Sequence, residues 1–598
     1  MPIPSPSRPQ PSQERIQWLN QASTAEALAW LDGIYEHSPW VAEQALAQRP
    51  FRSLAHLKWA LAHSVMQADP TQQMALIKAH PLLAAKPNPN LTSESKQEQQ
   101  VAGLWQSTPA QAAQLQALNQ AYIAKFGWPF IVAVRGPRGN GLTPQAILDT
   151  MAWRMHQSPA VAFQENLRQI HRIAELRLNE KCQQHPVLGG EVWDWHAWLA
   201  QFSDPGFQEH GQLSVSYLTP AHQACAQTIA LGMRACGFDE VTIDAVGNVV
   251  GRYHPAQADA PYVLTGSHYD TVRNGGQYDG RLGVFVPMAC VREWASQGQR
   301  LPVGLEVVAF AEEEGQRYKA TFLASSALVG DFNPVWLDQQ DAAGISMREA
   351  LQAAGHNPKD IPALKREPSK YLGFVEVHIE QGPVLHALNM PLGIVTSING
   401  SVRFVGELTG TASHAGTSPM DQRHDAVAAF AEWAVHVEQR ARQDGDSVAT
   451  VGMLHVPQGS INVVPGLLQF SLDMRAPSDA QRDALATDIL HKLRTVCAER
   501  SIHLKLEETV RAAAAPSDPG LQRRWEEAVS GLGLPLHHLP SGAGHDAMKM
   551  HQAMPQAMLF VRGENQGISH NPLESTTADD MQLAIEAFAA LMQAVSLR

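Results

Sequence analysis

The sequence predicts a multidomain protein in which an all-α part is followed by an α/β part. Three observations carry that expectation. The chain has 598 residues, more than one hydrophobic core usually serves, so two to four domains are expected. Up to about residue 180 the apolar residues recur at helical spacing and β-branched clusters are few. From about residue 187 short β-branched runs alternate with helical ones, the rhythm of an α/β fold.

Taken in order, "MPIPSPSRPQPSQ" (1–13) has no apolar segment of the kind a secretory signal needs and is expected to be a disordered leader. "AEALAWLDGIYE" and "RSLAHLKWALAHSVMQ" have helix-type spacing. So does the segment Thr143 to Lys181, where Phe163, Leu167, Ile170 and Ala174 form one apolar stripe. Between these lie "AHPLLAAKP" with His80, "LTSESKQEQQVAGL" with Ser95, Glu98 and Gln99, and the apolar "YIAKFGWPFIVAVRG". Ser95 and Glu98, three apart, read by themselves as a capping box. Arg177 lies at the edge of the stripe, where an arginine ordinarily lays its stem along apolar surface. "EKCQQHPVLGG" (180–190) is the expected boundary, and each half is long enough to bury its own core and to survive a cut near 182–187.

Strand-like runs follow at Val249–Tyr253, Tyr262–Thr265, Leu305–Phe310 and Phe374–Ile379. Their ends are unusual. "APYVLT" runs into "GSHYDTVRNGGQYDG", with His268, Asp270 and Asp279. "VVAFAEEEGQR" ends in Glu312, Glu313 and Glu314, whose mutual repulsion asks for a positive partner if they share a cleft. "GFVEVHIEQGPVL" places Glu376, His378 and Glu380 on one strand face, and "GISHNPLE" puts His570 in a turn. Singly these read as a solvated turn, a core histidine and a surface histidine. Together they offer imidazole and carboxylate ligands to zinc or manganese, and hydrolytic sites often hold two ions about 3.5–4 Å apart across a shared carboxylate. His268, Asp279, Glu314, His378 and His570 make such a set. Asp270 can orient His268 from behind, and Glu313 is left as a general base.

Composition excludes several classes. A net charge of −13 argues against a nucleic-acid partner. Five scattered cysteines without a CxxC pair support neither a disulfide framework nor a thiolate zinc site, and point to a reducing, cytoplasmic setting. No run of about 18 apolar residues is present, so no membrane span is expected.

The stretches of the second half, with "SHAGTSPM", "NVVPG" and "GAGHDA" among them, resemble in their order the dinuclear-metal amidohydrolases related to aminoacylase and carboxypeptidase G. Within that group they are similar to the branch holding allantoate amidohydrolase, N-carbamoyl-L-amino-acid hydrolase and β-ureidopropionase. The resemblance spans about 187–598. It implies a catalytic domain in two pieces, 187–396 and 511–598, around an inserted α+β lid and dimerisation domain, 397–510. It implies that His268, Asp279, Glu314, His378 and His570 hold two divalent ions and that Glu313 is the base. It also implies that His414, Asn462 and Arg475 contact substrate from the lid side, His414 across a homodimer. Gln381 and the turn Gly544–His545 would line the pocket, and Arg475 suits a carboxylate through its fork. One departure is Ser216 before Tyr217, where relatives carry an arginine, which would alter the pocket edge.

"HPLL", "SESKQEQQVAGL", "KFGWPF" and "AELRL", over about 14–182, resemble 2-oxo-4-hydroxy-4-carboxy-5-ureidoimidazoline (OHCU) decarboxylase, an all-helical enzyme of urate breakdown that uses no cofactor. That resemblance implies His80 and Glu98 as catalytic, and Ser95, Gln99 and Arg177 as holding the ureide and its carboxylate. His80 is the expected acid, because imidazole titrates nearest neutrality. The decarboxylation product is allantoin, whose ring opening gives allantoate. The fusion therefore favours allantoate as the second substrate, so the expected partners are small ureides. Two alternatives stand beside it: an N-carbamoyl-L-amino-acid or β-ureido acid hydrolase, and a helical half that serves assembly only.

Overall fold

The computed structural model describes residues 11–83, 93–101 and 104–596. Its first third is helical: α1 (Pro11–Gln21), α2 (Thr24–Leu31), α3 (Pro39–Leu46), α4 (Leu54–Gln67), α5 (Pro70–Ala79), α6 (Ser93–Val101), α7 (Pro109–Phe126), α8 (Pro144–Arg154) and α9 (Pro159–Cys182). Local chemistry starts these helices. Ser23 with Glu26 and Thr108 with Gln111 form reciprocal caps, Asp69 caps α5, and proline occupies the first helical turn of α3, α5, α7, α8 and α9. The expected leader is shorter than residues 1–13, because α1 already begins at Pro11; residues 1–10 lie outside the described residues. α9 carries the apolar stripe, but charged and polar residues on its other faces are buried too. A helix buried all round is a central one.

The second part opens with α10 (Val187–Leu199) and α11 (Pro220–Cys236). The main sheet comprises β1 (Glu240–Ile243), β2 (Val249–Tyr253), β3 (Tyr262–His268), β4 (Gly304–Phe310), β5 (Tyr371–Ile379) and β6 (Leu392–Ile398), with three later strands described below. After Ile398 the chain leaves it to build a separate antiparallel sheet from β7 (Gly400–Thr409), β9 (Val448–Thr450), β10 (Leu454–His455), β12 (Leu467–Ala476) and β13 (His503–Ala512). β8 (Ser413–His414) and β11 (Val463–Val464) form a small ribbon. Helices Ala426–Asp444 and Asp479–Glu499 cover the antiparallel sheet over their own core of Leu408, Trp433, Leu472 and Leu493. The chain returns through β14 (Ala515–Pro516), β15 (His538–Ser541) and β16 (Gln556–Val561) and ends in helix Ala578–Val595.

The order of the main sheet positions the site. It runs β1-β2-β4-β3-β5-β16-β6-β14, with β15 on β6. β4, β3, β5 and β16 are mutually parallel neighbours, so their carboxyl ends lie along one edge. Ligands of open α/β sheets bind at that edge. β3 runs on to His268 instead of stopping at Thr265, so this histidine is the last residue of a buried strand.

The two parts share a buried contact layer. α9 meets the second part through a buried ionic layer. Arg172 pairs with Asp579 at 2.6 Å and with Glu175 at 3.1 Å, Lys58 reaches Asp579 at 2.9 Å, and Arg562 makes two bonds to Asp580. Arg168 pairs with Glu175 and Glu564. Lys58, Arg168, Arg172 and Arg562 thus balance Glu175, Glu564, Asp579 and Asp580. Burial opposes ionisation of Asp579, yet Lys58 and Arg172 hold its carboxyl far below the usual range. A cut near 182–187 would leave each piece an apolar core but would expose a charged layer that belongs to both. Arg172→Met should cost about 3–5 kcal/mol, since it strands buried carboxylates. Calorimetry should show the helical part and the main-sheet domain unfolding in one transition. Two well-separated transitions, with Arg172→Met leaving both in place, would rule this out.

Candidate functional site

β3 ends in His268, β5 carries His378 next to its last residue, the loop after β4 carries Glu313 and Glu314, and the loop after β16 carries His570. Asp279 precedes Gly280, the N-cap of α12 (Arg281–Ser296). Gly280 has φ 68°, and a Cβ there would lie 2.5 Å from the His268 ring and carbonyl oxygen, so only glycine lets this loop pass the histidine.

These residues converge on Asp279. Its Oδ1 lies 3.5 Å from His268 Nε2 and 3.4 Å from His378 Nε2, and its Oδ2 lies 3.2 Å from His570 Nε2. His570 Nε2 is also 3.5 Å from Glu314 Oε1. Two triads therefore share one carboxylate: His268, Asp279 and His378, and Asp279, Glu314 and His570. Glu313 joins His268 and Glu314 in a third close group. Asp279 Oδ1 is buried and hydrogen-bonds to nothing in the protein. No lysine or arginine forms an ion pair with Asp279, Glu313 or Glu314 among the described residues. Burial, opposed by His268 but reinforced by Glu314, pushes Glu313 well above the usual carboxylate range, while burial and repulsion from Asp279 push Glu314 up to about 7. Hydrogen bonding to Asp279 draws His570 up to about 9. Excess negative charge around an orphaned oxygen, with imidazoles facing it, is the donor set of a divalent cation.

The surrounding residues fix the ligands. Asp270 faces His268 Nδ1 with Oδ1 at 3.3 Å and its carbonyl oxygen at 3.1 Å. The same carboxylate accepts from the Glu313 and Glu314 amides, both at 3.2 Å, so Asp270 orients the base loop as well as the histidine. Gln381 Nε2 donates to Asp279 Oδ2 at 3.0 Å. Glu312 is buried and accepts from Gly315 N. Glu574 was not singled out from the sequence. Its Oε1 accepts from the Tyr278 and Asp279 amides and its Oε2 from Ser569, tying the His570 loop to Asp279. Its one sequence signal is an acid four residues after His570.

Other candidates fall elsewhere. His545 is buried, bonds Ser541 Oγ, and stacks edge-on against His378 at 4.5 Å between centroids, so it backs a ligand and does not line an open pocket. Gly544 packs on Phe322. His414 and Asn462 lie on the exposed β8–β11 ribbon and belong to none of the metal-ligand groups within the chain. Arg475 donates Nε and Nη2 to Asp473 and Nη1 to the Gly542 carbonyl, which leaves one N–H on each terminal nitrogen. Ser216 is a turn residue whose amide bonds Asp204.

In the helical part, His80, Ser95, Glu98, Gln99 and Arg177 line one cavity. The capping-box reading fails, because Ser95 lies inside α6 and its hydroxyl donates to Glu36. Arg177 donates Nε and Nη2 to Glu98, and also bonds Glu36, Ser95 and the Gly33 carbonyl. Its donors are thus engaged in holding the catalytic candidates. Glu36 was missed: it sits in "GIYEHSPW", where nothing local marks a carboxylate that pairs with an arginine far along the chain. Burial depresses His80 to about 4, and its Nδ1 faces the Leu76 carbonyl at 2.9 Å. At neutral pH it is a neutral imidazole with Nε2 as an acceptor, which corrects its expected role as an acid. The Ala102–Gly103 end of this part's motif lies outside the described residues.

Comparison with known proteins gives these sites a family. Residues 20–179 match the OHCU decarboxylase family model, and residues 264–594 match peptidase family M20/M25/M40. An N-carbamoyl-L-amino acid amidohydrolase of Geobacillus stearothermophilus is 37% identical over 67% of this chain and 97% of that protein. The allantoate amidohydrolase of Bacillus subtilis is 31% identical over 67% of this chain and 96% of its own length. A solved hydantoinase/carbamoylase family amidase of Burkholderia ambifaria superposes with TM-score 0.62 at 31% identity, over 68% of this chain and 97% of that one. The chain belongs to peptidase family M20/M25/M40, and a domain of the OHCU decarboxylase type precedes its hydrolase-type part in the same polypeptide.

Proposed function

We propose that this is a bifunctional enzyme of purine breakdown. The helical half decarboxylates OHCU to allantoin, and the second half hydrolyses allantoate with release of ammonia and CO2. The observation that carries the hydrolase reading is the Asp279 carboxylate shared by two ligand triads. Two divalent cations, zinc or manganese, held by His268, Asp279, Glu314, His378 and His570 would acidify an attacking water and polarise the ureido carbonyl. Glu313, grouped with His268 and Glu314, takes the proton of that water and returns it to the leaving nitrogen. The reading includes a homodimer through the inserted domain, because His414 is exposed and belongs to none of the ligand groups within one chain, so a role for it at the site asks for a partner to present it.

For the decarboxylase half, the neutral His80 takes the substrate's hydroxyl proton and returns it to the carbon that CO2 leaves, with solvent supplying the one proton consumed overall, while Arg177 fixes Glu98 and Ser95 in the pocket wall. A second reading of the hydrolase half, an N-carbamoyl-L-amino-acid hydrolase, is favoured by the 37% identity to the Geobacillus enzyme. The presence of a decarboxylase-type domain supports allantoate.

The deciding experiment measures OHCU decarboxylation and hydrolysis of allantoate and N-carbamoyl amino acids, each with and without a chelator. Chelation should stop hydrolysis and leave decarboxylation intact. Faster turnover of N-carbamoyl amino acids than of allantoate would select the second reading. Glu313→Gln should abolish hydrolysis while metal content stays near that of wild type. Mixing Glu313→Gln with His414→Ala chains should restore part of the activity in heterodimers, and heterodimers without activity would refute the cross-subunit role. The pH profile tests His80. Its folded pKa of about 4 lies below the ordinary 6.5, so the unfolded chain binds the extra proton more readily between those values. The stability it contributes is whole above about 6.5 and falls away as pH drops to about 4. Decarboxylation should persist to about pH 5 and fall with a midpoint near 4; a midpoint near 6.5 would contradict a neutral buried His80.

A further inference from the structure

The loop that brings His570 to Asp279 has an uncommon shape. Asn565, Gln566 and His570 take φ values of 53°, 63° and 53°, a region that non-glycine residues enter only when surroundings hold them there. Gly567, with φ 67°, passes so close to Gly382 that a Cβ would lie 1.6 Å from its carbonyl oxygen. Glu574 ties the far side of the loop to the Asp279 amide. The near side is tied from the other half of the chain. Arg168, on α9, donates Nε and Nη2 to Glu564 Oε1 at 2.9 and 2.7 Å, and Nη1 to Asn389 Oδ1 at 3.3 Å. Arg562 Nε stays 3.9 Å from the same Glu564 oxygen, because its own fork is turned to Asp580. Arg168 therefore makes the short bonds that keep the Glu564 carboxylate buried. The Glu564 amide donates to the Ser575 carbonyl at 2.7 Å, and the Gly567 amide donates back to the Glu564 carbonyl at 3.0 Å, so displacing Glu564 displaces the residues that lead to His570.

We propose that Arg168 of the helical half is a positioning residue for the His570 loop of the hydrolase half. Without its fork, Glu564 is a buried charge lacking its partner, and the cheapest relief is to swing toward water. That motion would carry Asn565, Gln566 and His570 away from Asp279. The same helix, nine residues further on, places Arg177 against Glu98, so one rigid element serves both sites. The inference rests on reading His570 as a cation ligand.

The test uses the full chain, stripped with chelator and titrated with zinc against a chromophoric competitor. His570→Ala serves as reference, and OHCU decarboxylation and thermal melting are followed beside it. Arg168→Lys keeps the charge and loses the fork. Arg168→Met with Glu564→Met removes both charges, and so guards against a variant that fails to fold. Arg168→Lys should bind the His570-dependent ion about tenfold more weakly, the usual effect of losing a group behind a metal ligand, whereas the double variant, which leaves no charge to swing out, should stay within about twofold of wild type. The other ion and the decarboxylation rate should stay within about twofold. Zinc affinity equal to wild type in Arg168→Lys, while His570→Ala weakens it, would overturn the role of Arg168 alone. Zinc affinity unchanged in His570→Ala would overturn the metal site and the inference with it.

Discussion

A buried carboxylate that must stay ionised governs the second half of this protein. Asp279 offers one oxygen to His268 and His378 and the other to His570, and burial by itself would drive its proton back on. The imidazoles of His268 and His570 facing it more than offset that, and hold its carboxyl well below the usual range. Much of the nearby architecture serves this one group. Four parallel strands end beside it, Gly280 lets its loop pass His268, and Glu574 fixes the amide behind it. Asp270 couples the opposite wall, holding His268 and both amides of the base loop with a single carboxylate. A cation at Asp279 would thus meet ligands whose orientations are set before it arrives, which keeps the ordering cost of binding low.

The helical half solves a similar problem with an arginine. Arg177 is buried against Glu98, Glu36 and Ser95, and those carboxylates keep it charged although burial opposes it. Beside this fixed ionic cluster His80 stays neutral, because burial outweighs the favourable field of Glu36. The pocket so combines a permanent charge network with an uncharged acceptor, whereas the candidate metal centre gathers imidazoles around excess carboxylate.

Between the two lies α9. Its Arg168 and Arg172 face the second half and its Arg177 faces the first. Eight charged side chains cancel in that layer, so its stability depends on every member being present. The fusion is therefore structural as well as genetic. No helix among the described residues is long and apolar enough to cross a membrane, and α9, the longest, is committed to this interior.

What the sequence by itself determined was local. Helical periodicity marked the stripe of α9, β-branched runs marked β2 to β5, and ligand-type residues at strand ends marked His268, Asp279, Glu314, His378 and His570 as a group. These signals are readable because side-chain period and strand termination are written within about ten neighbouring residues. The structure brings those five residues together. It alone decided what depends on residues distant in sequence. Glu36 meets Arg177, Arg168 meets Glu564, and His545 backs His378 instead of lining a pocket. It also set the protonation of His80, since burial is a property of the whole surrounding fold. Partner choice between buried charges is fixed by packing across the chain, and no window of sequence contains both members of such a pair.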